Sequence, residues 1–153
     1  MLAGLGSYFW LTSPRRADSA RRLFELSREK FAGRNWDELY TYTSEEWREE
    51  YIPLMRRHLE YLLRYAETET VDAQTAVAFS DQQVFRVWLE VYSQTTPGEK
   101  LLDNIEDIEI KRIVENEGKS IVHFHRPVEI PGDFKALVAG EKNGSWKIKD
   151  LKE

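Results

Sequence analysis

The chain predicts an α+β domain, with helices first and an antiparallel sheet last, and three observations carry that expectation. Apolar residues recur at helical spacing as far as Thr96, the period falls to two after Asn104, and the turn pairs Pro131-Gly132 and Asn143-Gly144 punctuate the last third. Elements segregated in this way bury their helices against one face of the sheet.

The first helix is predicted from Ser13 as N-cap and Pro14 at the first helical position. Ala17, Ala20, Phe24 and Phe31 form its apolar stripe, and Gly33 is its stop. Trp36 to Tyr42 reads as a short second helix. Ser44, followed by Glu45 and Glu46, caps a third whose anionic first turn suits the helix dipole. Pro53 falls inside that third pattern, and a proline in its first turn predicts that the helix restarts there. From Leu54 the positions 54, 55, 58, 59, 62 and 63 make an apolar face that includes His58, with Arg56, Arg57, Glu60 and Arg64 opposite. After a looser, Ala-rich link from Glu67 to Phe79, Ser80-Asp81-Gln82-Gln83 has capping-box spacing. It leads a helix with Val84, Val87, Trp88, Val91 and Tyr92 on one side, which Thr96-Pro97-Gly98 is expected to end.

Four strands fit the remainder, at 105–114, 120–128, 133–141 and 145–151. Taken as a three-residue loop with Gly118 left-handed, Asn116-Glu117-Gly118 sets Ile110 opposite Phe124 and Glu109 opposite His125. Ile108, Ile110, Val114, Val122, Phe124 and Val128 then share one face, and Asp107, Glu109, Lys111, His123 and His125 share the other. A one-residue slip would mix the two sets. Around Asn143-Gly144 a two-residue and a three-residue loop put Trp146 on opposite faces relative to Val138, and both stay open.

With 153 residues, 41% of them hydrophobic and 19 of them aromatic, the chain is the size of one domain and needs no staple to build a core. Residues 13–153 read as that domain. Met1 to Thr12 read as an apolar N-terminal extension, lacking the basic start and cleavage site of a signal peptide and too short to span a bilayer. It is either a true start or the stub of a trimmed anchor. The net charge of −5 is spread without a basic stripe, which disfavours nucleic acid and anionic membranes as partners. Zero cysteines exclude disulfides, thiol nucleophiles and thiolate zinc sites. A cytoplasmic address is the expectation, with an exported or anchored parent as its alternative.

The step Phe31-Ala32-Gly33 to Trp36-Asp37 and Leu39-Tyr40, together with the closing strand Asn143-Gly144-Ser145-Trp146-Lys147-Ile148, resembles the nuclear transport factor two / ketosteroid isomerase superfamily, in its helix-rich branch. The resemblance covers nearly the whole chain. It implies a conical fold with a curved sheet, a cavity between helices and sheet, homodimers through the outer sheet face, and functions from catalysis to scaffolding. Enzyme members carry a catalytic group on a strand after the second helix. Here that place holds Ser44-Glu45-Glu46-Trp47, so no catalytic residue carries over.

Among candidate sites, His58 in an apolar helical face could serve as a general base assisted by Tyr40 or Asp37 (Tyr61 and Tyr65 are further options), against the plainer reading of a structurally bonded histidine. Trp36, Tyr40, His58, Trp88, Tyr92, Phe124 and Trp146 could line a pocket for a small apolar molecule, and core packing explains the aromatics equally well. His123 and His125 stand about 7 Å apart on one strand face, and Glu109 opposite His125 would give a His/His/carboxylate set for a metal. The plain alternative is a polar or dimer-facing surface. Asp103, Glu106, Asp107 and Glu109 alternate along a strand and cannot converge on calcium. No phosphate loop, dinucleotide fingerprint, nucleophile elbow or His-Glu-x-x-His occurs, and no cofactor is expected. The expectation is a non-catalytic binding or accessory domain with a cavity for a small apolar ligand. The alternatives are a small lyase, isomerase or hydrolase using His58, and an envelope- or secretion-associated scaffold.

Overall fold

The computed structural model of the chain describes residues 16–65, 78–127, 129–130 and 132–153, and only the backbone of 62–65. The elements in these residues are α1 (Ala20–Ala32), α2 (Trp36–Thr41), α3 (Glu45–Tyr65), α4 (Asp81–Ser93) and α5 (Thr96–Asp103), a 3-10 turn (Ile105–Asp107), and β1 (Glu109–Asn116), β2 (Lys119–His125), β3 (Ala136–Lys142) and β4 (Ser145–Lys152). The strands form one open antiparallel sheet in the order β1-β2-β3-β4, so the α+β class read from the periodicity holds.

Local chemistry explains where most helices begin. Ser44 Oγ accepts from the Trp47 N–H at 3.1 Å, and Ser80 and Gln83 complete the expected capping box reciprocally. Ser13 and Pro14 lie outside the described residues. The first described helix instead starts at Ala20, where Ser19 caps the Arg22 N–H at 3.1 Å. α4 does end before Thr96, at Ser93, but Thr95 and Pro97 open a further helix, α5, which the sequence reading missed. Proline in a first turn costs no hydrogen bond, so the same residue that forbids continuing one helix favours starting the next.

The predicted restart at Pro53 does not occur: α3 runs unbroken across it. The missing N–H leaves the Glu49 carbonyl without its helical donor, and both residues are exposed, so water can take the vacant acceptor. Continuity also moves the buried stripe. Ile52, Met55 and Leu59 are buried, while Leu54 is 49% exposed and His58 is exposed, which corrects the face counted from Leu54. At about 100° per residue, His58 sits about a quarter-turn and Leu54 more than a third of a turn from the middle of that stripe.

α1 lies across the sheet, presenting Ala20, Leu23, Phe24 and Leu26, and Phe24 meets Phe124 of β2 at 5.6 Å between ring centroids. Arg28 ties it to the entry of β1 by donating to the Ile108 carbonyl at 2.6 Å. Trp36, Leu39, Tyr42, Trp47, Ile52, Val84, Phe85 and Leu89 carry the same core into the helical layer, where α3 packs on α4.

Glu109 pairs with His125 and Ile110 with Phe124, as read from the pattern. The turn between β1 and β2 nevertheless holds two residues, Glu117 and Gly118, and a bulge at Lys111 restores the expected pairs at the far end. The correction changes faces. Ile113 packs against the core, whereas Val114 stands opposite Ile121 on the outer face, 46% exposed. Asn143-Gly144 is a two-residue turn with positive φ at both positions, which sets Trp146 opposite Glu141 and on the core side, away from Val138. Val128 and Pro131 lie outside the described residues.

The free edge of β4 is closed by the N-terminal chain. Trp146 N–H donates to the Ala17 carbonyl, Ile148 N–H donates to Tyr42, and Ser44 N–H returns a bond to Ile148, giving a single parallel bridge at Thr43. Covering an edge in this way removes a row of unpaired backbone groups from solvent.

Candidate functional site

The aromatics expected to line an interior pocket are distributed over separate neighbourhoods. Trp36 is buried on α2, edge-on to Phe31, and its indole N–H donates to a Glu90 carboxylate oxygen at 2.7 Å. Tyr40 lies edge-on to Phe85 with the Arg48 guanidinium 3.9 Å above its ring. Phe124 and Trp146 pack on the core from the sheet. His58, Trp88 and Tyr92 do come together, on the outside of the α3–α4 pair. Trp88 stacks on Tyr92 at 5.1 Å and donates its indole N–H to His58 Nδ1 at 3.3 Å, with the exposed Tyr61 stacked beyond at 6.0 Å.

That bond fixes the chemistry available to His58. Indole is only a donor, so Nδ1 is the acceptor and the neutral ring carries its proton on Nε2. Tyr40 and Asp37 do not assist it. Asp37 is exposed, accepts from Gln82 at 3.3 Å and pairs with Arg86 at 3.7 Å, while Tyr40 faces Arg48. A histidine expected in an apolar face is therefore a surface residue bonded to a tryptophan. Burial raises the Tyr92 hydroxyl's pKa against the lowering effect of Arg126.

Glu109 stands opposite His125 as expected, but His123 pairs with Arg112. Among the described residues no three of His, Asp and Glu gather to hold a metal, and no helix is long and apolar enough to cross a membrane.

A different feature carries concave surface. A groove of about 380 Å³ runs along the outside of α3, floored by Ile52 and Pro53. Arg48 and Glu49 stand at one end, with Arg57 and the Arg56–Asp81 pair toward the other. Helical spacing builds it. Arg48, Ile52 and Arg56 form one i, i+4, i+8 row and Glu49, Pro53 and Arg57 the next, so an apolar residue lies between charged ones in each. Arg56 is committed, donating to the Phe79 carbonyl at 2.7 Å and to Asp81 at 3.0 Å.

Arg48 is held by neutral groups, with Nε on Thr43 Oγ1 at 2.9 Å and Nη2 on the Tyr40 carbonyl at 2.7 Å. Lys147 donates to the next carbonyl, that of Thr41. Burial first, then Arg48 and Arg16, hold the Lys147 amine below the usual lysine range. Among the described residues none of these three cations has a carboxylate within ion-pair distance. Arg48 and Lys147 suit the C-terminal carbonyls of α2, where the helix dipole favours cations.

Sequence reasoning placed Arg57 on a solvated face and passed over Arg48. The available signal was a proline and an isoleucine in mid-helix with arginines four residues to either side. Compared with known protein families, with curated proteins and with solved structures, the chain matches none.

Proposed function

We propose that this is a non-catalytic binding or accessory domain that works through its outer surfaces and pairs with a second copy through the outer face of its sheet. The observation that carries the reading is that the candidate acid–base groups are separately engaged: His58 by Trp88, Asp37 by Arg86 and Gln82, Tyr40 by Arg48. General acid–base chemistry needs its partners within hydrogen-bond reach of one reacting site, so the binding reading is favoured over a lyase or isomerase. An apolar ligand entering between helices and sheet would have to displace packed residues such as Leu23, Leu26 and Val122. The groove on α3 is the better place for one.

Val114, which is exposed, and the half-buried Ile121 supply the apolar contact for pairing on the face turned from the helices. The order of elements also supports kinship with the nuclear transport factor two / ketosteroid isomerase superfamily, with chain after the second helix touching β4 at Thr43 before α3 begins. Analytical ultracentrifugation of the wild type and Val114→Lys tests the pairing. The expected result is a wild-type dimer and a monomeric variant with an unchanged circular dichroism spectrum. A wild-type monomer at all concentrations, or a variant that dimerises equally well, refutes it.

A further inference from the structure

We propose that the groove on α3 is a binding site for a small amphipathic monocarboxylate, whose head is held by Arg48 and whose apolar body lies along Ile52 and Pro53 toward Arg57. The inference rests on the reading of a domain that binds through its surface, and it names the class of ligand.

Four observations converge on that chemistry. The volume of about 380 Å³ falls within the range of small-molecule sites, at its lower end. The floor is apolar, with Ile52 buried beneath and the Pro53 ring exposed. Proline adds rigid apolar surface without a backbone donor, and this one sits in mid-helix, where it costs stability.

The charges then select the head group. Asp81 is neutralised by Arg56, which leaves the guanidiniums of Arg48 and Arg57 against the single carboxylate of Glu49, a surplus of one positive charge. Arg57 is exposed and makes no ion pair or hydrogen bond with another described residue, so its charge at the far end of the groove is uncommitted. Arg48 is the opposite case. Its guanidinium is held in one place by Thr43, the Tyr40 carbonyl and the Tyr40 ring, so little is lost in ordering it when a ligand arrives. A guanidinium fork matches a carboxylate with two parallel hydrogen bonds, and Lys147 near Arg48 adds to the positive field at that end.

The test is a titration of the full chain with octanoate, followed by backbone amide chemical shifts. Acetate serves as the head without a body and 1-octanol as the body without a head. Octanoate is expected to saturate with shifts centred on residues 48–57 and Asp81, and to bind at least about tenfold more tightly than either control, because the head and body terms combine. Arg48→Gln is expected to weaken octanoate about tenfold, the loss of one charge-assisted hydrogen bond, and Arg57→Gln, which removes only a charge at the far end, about threefold. Arg57→Gln leaves every described contact in place, so it reports on binding even where Arg48→Gln loosens the fold.

Octanol binding as tightly as octanoate would overturn the site, as would full affinity in both variants or the absence of saturable shifts at 48–57. Saturable shifts confined to core residues such as Leu23 and Val122 would overturn both this site and the surface reading. Absent binding would overturn the site alone, leaving the dimer to the centrifuge.

Discussion

Gly98 is the position where a single methyl group tests the helical layer most sharply. It lies in α5, and a Cβ built on it would stand 1.9 Å from the Tyr92 carbonyl oxygen, 2.7 Å from the Tyr92 carbonyl carbon and 2.9 Å from Ser93 Cα. All three are backbone atoms, and the Tyr92 oxygen already accepts from the Thr95 N–H at 3.0 Å and the Thr95 hydroxyl at 2.6 Å. No side chain can rotate away, so α5 must move by about an ångström or more relative to the end of α4. Overpacking of this kind costs about 3 kcal/mol at the upper end of its usual range, while alanine in place of glycine in a helix gains about 1 kcal/mol. Gly98→Ala should therefore lose about 2 kcal/mol net. With a urea m-value of about 2 kcal/mol per molar, tryptophan fluorescence would show the midpoint falling by about 1 M at unchanged m. Gly33→Ala is the control, because its Cβ meets nothing nearer than 3.5 Å and its φ of −81° suits any residue. That change should gain about 0.4–1 kcal/mol through the unfolded chain. A rise in midpoint for Gly98→Ala would mean that α4 and α5 do not approach as described.

Two further outcomes follow from α3. Pro53→Ala should stabilise the domain by about 2 kcal/mol, since it restores a helical hydrogen bond and removes the proline penalty of about 3 kcal/mol, less the entropy returned to the unfolded chain. Thermal and urea melts that show a loss would instead place a helix start at that residue. Tyr51 donates to Asp150 at 2.5 Å, and this bond first, then burial and the charges of Asp150 and Glu50, push its hydroxyl up to about 12. Because the folded value lies above the unfolded one, near 10, the contribution is whole below pH 10 and disappears as pH rises toward 12. Tyr51→Phe should thus destabilise at neutral pH, lose that difference by pH 12, and remove the last-titrating part of the tyrosinate absorbance. An unchanged high-pH limb in the variant would exclude the bond.

How much of this was legible depended on whether neighbouring residues differ in kind. Ser80 and Gln83, or Asn143 and Gly144, are chemically unlike what surrounds them, and their roles could be named from the chain. The β1–β2 hairpin was harder. A three-residue loop and a two-residue loop followed by a bulge at Lys111 both align Ile110 with Phe124, and they differ only in whether Ile113 or Val114 faces the core. Both residues are apolar and β-branched, so alternation could not choose between them. The same ambiguity displaced His58. With Pro53 as a helix start, Ile52 drops out of the pattern, and Leu54 with His58 makes as good a stripe as Met55 with Leu59.

The candidate site was hidden for a related reason. Periodicity finds the face of a helix that is buried, and the groove lies where that face, at Ile52, gives way to the exposed one. What distinguishes Arg48 from the other arginines of α3 is its setting against Tyr40, Thr43 and Lys147, which come from α2, the α2–α3 connection and β4. Tyr40 and Thr43 lie across a helix break from it and Lys147 lies on the last strand, so helical periodicity could not bring them together. They meet because the Tyr42–Ser44 segment closes the edge of β4, bringing the end of α2 beside Lys147. The strand edge that had to be covered thus also assembles the cationic end of the groove. A change that weakens the Thr43–Ile148 bridge should disturb the setting of Arg48 before it disturbs the core.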